Sequence, residues 1–208
     1  MSLSSTPPNT TAGEPAWDVA RLFPAQGHWS EQDYLHLGGN RLVEFADGHI
    51  EVLPMPTMLH QLMVAFLHEA LMAFASPRHL GTTLFAPFAV RIRAGKYREP
   101  DVLFMLARHA DRMGEQFWDG ADLVMEVESE DRHHDLETKR LEYARAGIPE
   151  CWIVDPLMKT ITVLVLDADA DSYAVHGTFT PGQAATSRLL PGFSVAADEA
   201  FEAFVPPQ

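Results

Sequence analysis

Two segments of this chain carry acids where a buried strand would favour apolar residues. Asp101 follows Pro100 and opens Asp101-Val102-Leu103-Phe104-Met105-Leu106, while Glu126 and Glu128 sit at the end of Leu123-Val124-Met125-Glu126-Val127-Glu128. Alternation puts Asp101, Leu103 and Met105 on one face of the first strand and Val124, Glu126 and Glu128 on one face of the second. A carboxylate inside such a strand is costly unless it is paired or bound to a metal. Two carboxylates about 4 Å apart repel by roughly 4 kcal/mol at an effective dielectric near 20. A divalent cation or a shared proton relieves that repulsion, and a neighbouring lysine helps. Lys139 follows Asp135 by four residues in a helical pattern, and Tyr143 stands at the next such position, so the three share a helix face. Two in-strand acids followed by a helical lysine is the arrangement of metal-dependent hydrolases. Singly, each acid also fits a solvated strand end, and Asp135–Lys139 fits a surface ion pair.

Other patterns fail on their missing members. His68-Glu69 begins a zinc-protease helix, but the second histidine would fall at Met72. Asp167, Asp169 and Asp171 mimic the start of a calcium loop, yet Ser172 and Thr178 occupy its glycine and glutamate positions. Gly95-Lys96 lacks the rest of a phosphate loop, and His133-His134 are adjacent and point apart on most backbones.

The elements that must position the acids follow from periodicity and turns. Ser30 caps a short helix to Leu37, closed by Gly38-Gly39. Arg41–Phe45 and His49–Leu53 flank Asp47-Gly48, a two-residue hairpin signal. Apolar residues from Met58 to Phe74 recur at helical spacing. Thr82–Ile92 reads as a strand in which Pro87 requires a bulge or an edge. The acid-bearing strands come next, then a helix from Asp135 to Ala146 with Gly147 as its left-handed cap. A hairpin, Cys151–Val154 and Thr160–Leu166 around Asp155-Pro156, and a strand Ser172–Phe179 complete a mixed α/β pattern. The doubly apolar acid-bearing strands predict a sheet covered on both faces.

Composition bounds the reading. The 208 residues allow one domain, 17–208, after a Pro- and Ser/Thr-rich tail, 1–16, that reads as disordered. With 47% hydrophobic residues the chain can bury a core. The single cysteine, Cys151, excludes intrachain disulfides and cysteine zinc clusters. No apolar run of membrane-spanning length stands out and no signal peptide opens the chain, so a cytoplasmic protein without a membrane partner is expected. Fifteen Lys and Arg against 29 Asp and Glu give −14, which argues against a broad basic nucleic-acid footprint. A hydrolase with a metal-filled cleft escapes that objection, because the cation supplies local positive charge.

Asp101, Glu126 and the segment from Asp135-Leu136-Glu137-Thr138-Lys139 through Glu142-Tyr143 and Gly147-Ile148-Pro149-Glu150-Cys151-Trp152 to Asp155-Pro156 resemble the Uma-type family of putative restriction endonucleases, within the PD-(D/E)XK nuclease superfamily. The resemblance runs from about Trp29 to Phe204, and takes in Arg41–Gly48 as the early hairpin and His60 opening the first long helix. It implies a restriction-endonuclease-like α/β fold, with a mixed central sheet flanked by helices. It also implies hydrolysis of DNA, with Asp101 and Glu126 binding Mg²⁺ (or Mn²⁺) and the Val127 carbonyl as a third ligand. Lys139 would replace the lysine usually found two residues after the glutamate, where this chain has Glu128. Glu44, His60, Glu128 and Asp135 are auxiliary candidates. Glu128 and Glu130-Asp131 depart from the family pattern and add negative charge. A homodimer is expected from the aromatics Phe85, Phe88, Phe117, Trp118 and Trp152, some of which would be left for an interface. The rival readings are a catalytically degenerate nuclease fold serving as a dimeric interaction module, and a metal-dependent hydrolase of nucleotides or other phosphoesters.

Overall fold

The computed structural model describes residues 23–37, 42–128 and 133–202, the side chains of 133–135 excepted. The expectations for the 1–16 tail, the Gly38-Gly39 helix stop, Arg41, Glu130-Asp131 and the Asp135 side chain lie outside the described residues. The elements in chain order are α1 (Glu31–Leu35), β1 (Val43–Ala46), β2 (His49–Val52), α2 (Met58–Ala75), β3 (Gly81–Phe85), β4 (Ala89–Arg93), β5 (Lys96–Arg98), β6 (Val102–Leu106), β7 (Phe117–Asp119), β8 (Leu123–Val127), α3 (His133–Arg145), β9 (Glu150–Asp155), β10 (Thr160–Val165), β11 (Ala174–Phe179), β12 (Ala184–Thr186), β13 (Ser194–Ala196) and α4 (Ala197–Glu202).

Six strands in the order β11-β10-β9-β8-β6-β3 form the central sheet. It is antiparallel except where β8 and β9 run parallel across the α3 crossover. β6 and β8 are buried along their whole length because both faces are covered. On one face Met63, Val64, Leu67 and Leu71 of α2 pack against Val102, Phe104, Met125, Val127 and Trp152, with Phe193 and Phe201 closing the end. On the other, Leu136 and Tyr143 of α3 pack on Leu103, Met105, Val124 and Ile153. Val90 and Trp118 join them there from a second sheet, β2-β1-β5-β4-β7. Each such side chain, once buried, contributes roughly 1.5–3 kcal/mol, so this two-sided core dominates the fold's stability.

Local chemistry sets the connections. Asp47 and Gly48 both take positive φ (48° and 85°), the turn a two-residue hairpin needs, with Ala46 facing His49. Gly147 takes φ 75°, and Ile148 N–H bonds back to the Tyr143 carbonyl at 3.1 Å, ending α3 in the expected left-handed cap.

Two expectations are corrected, and a third is narrowed. Thr82–Ile92 is not one strand: it divides at Ala86-Pro87 into β3, in the central sheet, and β4, in the second. Proline has no N–H to give a ladder, and two residues beyond it the chain has changed sheets. The stretch Met58–Arg78 is long and apolar enough to cross a bilayer after all. Its inner face is core of the central sheet, which is how a core helix passes the same test. Of the aromatics reserved for an interface, Trp118 and Trp152 are buried, and Phe88 and Phe117 pack against cores. Only Phe85 is exposed.

Candidate active site

Continuing the β6–β8 register by one step sets Asp101 opposite Glu126, since Val102 faces Met125 and Leu103 faces Val124. Directly opposed residues bring their Cβ atoms to about 4.5–5.5 Å. Asp101 Oδ2 accepts the Val127 N–H at 2.8 Å, which ties the acid to the glutamate's strand. His60 sits in the first turn of α2, where Thr57 Oγ1 accepts its N–H at 3.2 Å, and its Nε2 lies 3.2 Å from Asp101 Oδ2.

Glu126 is buried on the α3 side. Its Oε1 accepts the Tyr143 hydroxyl at 2.6 Å, and its Oε2 lies 3.7 Å from Lys139 Nζ. Lys139 is itself only 2% exposed, so it is no surface residue. Its ammonium stands 3.1 Å from Glu44 Oε1, on β1 of the second sheet. The other Glu44 oxygen accepts from Arg98, and Glu44 Oε1 also accepts the Glu99 N–H at 3.2 Å. Arg98 continues to Glu142 Oε2 at 2.8 Å, where Lys96 also ends. An ion-pair chain thus runs from Glu126 through Lys139, Glu44 and Arg98 to Glu142, and joins the two sheets through α3. Glu128 lies just past β8, half-buried, with its N–H on the Val154 carbonyl.

The two acids that share Lys139 titrate in opposite directions. Burial pushes Glu126 up, and Asp101 and Glu44 add to it against the lysine, so its carboxyl rises to about 7. Burial also pushes on Glu44, but Lys139 and Arg98 outweigh it and hold the carboxyl below its usual range. The nearer ammonium and the second cation decide the difference. Burial, reinforced by Glu126, holds the Tyr143 phenol well above its usual range, so it remains a donor. Glu99 is a second buried acid with a raised carboxyl. Burial and the Glu44 charge raise it to about 8, and its Oε2 has no hydrogen-bond partner. Asp122 and Glu150, by contrast, are spent on structure: Asp122 takes the Leu106 N–H and His109, and Glu150 takes Trp152, Arg188 and Leu189.

Asp101, Glu126, Lys139, Glu44 and His60 therefore converge, and Glu128 follows Glu126 by two residues just past β8. Arg98, Glu99 and Glu142 were not singled out by sequence. The signal lay in Lys96-Tyr97-Arg98-Glu99-Pro100-Asp101, where two cations and two acids crowd into six positions, and in Glu142, three residues after Lys139 on one helix. Asp101 and Glu126 offer only oxygen donors, which suits a hard divalent cation. Among the described residues no third His, Cys, Asp or Glu joins them in a closed ligand cage. Mg²⁺ is commonly held by one or two carboxylates with water completing its shell, so this pair fits it.

The family model for Uma2, putative restriction endonuclease, matches residues 29–198. Among solved structures, a putative nuclease belonging to DUF820 from Anabaena variabilis is similar, with a TM-score of 0.68 and 15% identity over 82% of this chain and 96% of that one. At that identity the likeness is one of fold. No curated protein matches the chain. With its restriction-endonuclease-like fold and a family match over most of its length, the chain belongs to the Uma2 family of putative restriction endonucleases.

Proposed function

We propose that this nuclease-family chain is a divalent-metal-dependent endonuclease that hydrolyses DNA phosphodiester bonds. What carries the reading is one observation: two buried acids on adjacent strands, Asp101 and Glu126, share their surroundings with a fully buried lysine. Asp101 and Glu126 would hold Mg²⁺ or Mn²⁺. Bound there, the cation would offset charge building on the phosphate and acidify the attacking water.

The chain's own residues do the rest. Tyr143 and the Val127 N–H fix one oxygen of each acid, and the second Glu126 oxygen, beside Lys139, would turn to the cation. Lys139 balances the charge of Glu44 and Glu126 and is the group suited to orient water or the scissile phosphate. His60, held on Asp101 from the start of α2, orients that carboxylate and stands ready to pass a proton at the same edge.

Glu126→Gln tests the reading, because it keeps the shape and removes the charge. Calorimetry with Mn²⁺ should lose binding by at least about tenfold, and plasmid cleavage should cease while circular dichroism stays native. Unchanged Mn²⁺ binding in a folded variant would overturn it.

A further inference from the structure

Glu44 comes to the site from the second sheet. Its neighbours on β1, Val43 and Phe45, pack with Trp29, Tyr34 and Tyr97, so alternation turns Glu44 to the opposite face, toward α3. Phe45 faces Tyr97 in the β1–β5 ladder, and one step further Glu44 faces Arg98. Side chains so opposed are neighbours, and here they form an ion pair with both partners buried. Both Glu44 oxygens are engaged. Oε2 accepts from the Arg98 guanidinium, while Oε1 accepts the Glu99 N–H at 3.2 Å and stands 3.1 Å from Lys139 Nζ. Arg98 is braced in turn by Glu142, about one turn along α3 from Lys139. Two strands and a helix therefore fix where this carboxylate stands.

Lys139 Nζ stands nearer to Glu44 than to Glu126, 3.1 against 3.7 Å. The Glu126 oxygen at 3.7 Å is the one that would turn to a cation, since Tyr143 holds the other. An ammonium only 2% exposed cannot retreat to water once that oxygen is taken, and a buried charge needs a partner. The Glu44 carboxylate keeps its hold on the lysine in either state, because its own place is set by Arg98 and the Glu99 N–H. We infer that Glu44 is a positioning residue and not a metal ligand: it holds the Lys139 ammonium beside the scissile phosphate while Glu126 serves the cation. Supporting groups of this kind orient the side chain that acts without touching substrate themselves. The inference rests on the metal-dependent phosphodiesterase reading, because it gives the second Glu126 oxygen to the cation.

The chain has three lysines, Lys96, Lys139 and Lys159, so heteronuclear NMR can follow each ammonium, with Lys96→Arg and Lys159→Arg as references for assignment. In wild type the Lys139 ammonium should exchange slowly with water and stay slow on saturation with Mg²⁺. Glu44→Gln should speed that exchange by about tenfold or more in the Mg²⁺-loaded protein. Glu44→Gln/Arg98→Gln removes one buried anion together with one buried cation, which spares the local net charge and serves as well if the single variant does not fold. In that double variant Mn²⁺ calorimetry should stay within about threefold of wild type, against the loss of about tenfold or more expected for Glu126→Gln. Plasmid cleavage in Mn²⁺ should lose about tenfold or more in kcat, with KM within about twofold. Mn²⁺ affinity that falls as far as in Glu126→Gln makes Glu44 a ligand and overturns the inference, and so does a variant with slow ammonium exchange or wild-type kcat. Fast exchange at Lys139 in Mg²⁺-loaded wild type overturns it without any variant. In each of those cases a wild type that binds Mn²⁺ and cuts DNA leaves the metal reading standing. A wild type that binds no Mn²⁺ removes that reading, and this inference with it.

Discussion

Lys139 sits 3.1 Å from one buried carboxylate and 3.7 Å from another, and removing its charge would strand both. Breaking a buried pair from one side costs about 3–5 kcal/mol, so Lys139→Met should lose about that much in urea unfolding without metal, and Mn²⁺ should recover part of it. A loss under about 1 kcal/mol would mean the lysine is solvated after all. The raised Glu126 carboxyl predicts the pH response of binding. Its proton must leave before a cation enters, so Mn²⁺ affinity should rise as pH climbs toward about 7 and level off above it. Calorimetry across that window should find proton release below pH 7 and none above. Glu99 acts on stability instead. The folded chain keeps its proton up to about 8, while an unfolded glutamate releases it near 4.5. Its contribution is therefore full below 4.5 and is lost as pH rises through 8. Glu99→Gln, which cannot ionise, should lose less Tm than wild type as pH rises from 5 to 9, with the remaining decline confined below about 7 where Glu126 titrates; parallel curves would discount the shift.

At the scale of elements, Gly147 isolates a purely conformational contribution. A Cβ there meets nothing within 4 Å, yet its φ of 75° is one that L side chains rarely adopt. Gly147→Ala should cost about 1–2 kcal/mol in chemical denaturation and leave Mn²⁺ affinity untouched, because the cap lies about two turns beyond Lys139. How far the elements were legible depended on how local their causes are. The Asp47-Gly48 turn, the Gly147 cap and the doubly covered strands β6 and β8 were readable, because each is set by a few adjacent residues. Asp101 and Glu126 were legible for the same reason, as acids inside apolar runs. The division of Thr82–Ile92 was not, because Ala89 and Val90 are apolar enough for either sheet and only the distant partners β5 and β7 decide. The Lys139–Glu44 contact was equally out of reach. Glu44 reads as an ordinary hairpin glutamate, and only the docking of α3 between two sheets turns it inward.

Over the whole molecule, the −14 charge is unevenly spent. Cations near the site are bound into ion pairs with the protein's own acids, so much of the remaining negative charge faces water. Like charges on a compact surface repel, and that repulsion is screened by salt. Raising NaCl from about 20 to about 200 mM should therefore increase Tm, and a fall would mean the ion-pair chain outweighs surface repulsion.

The chain from Glu126 to Glu142 also carries a consequence for safety. Lys139, Glu142 and Tyr143 ride on one helix: Lys139 and Tyr143 reach Glu126 on β8, Lys139 also reaches Glu44 on β1, and Glu142 reaches Arg98 on β5. Seating α3 therefore brings the lysine, the phenol and the tether to the second sheet into place together. A nascent or damaged copy whose α3 has not seated lacks the lysine, the phenol and the tether to β1 all at once. For the proposed endonuclease that coupling would be protective, since the site would be complete only in an intact fold.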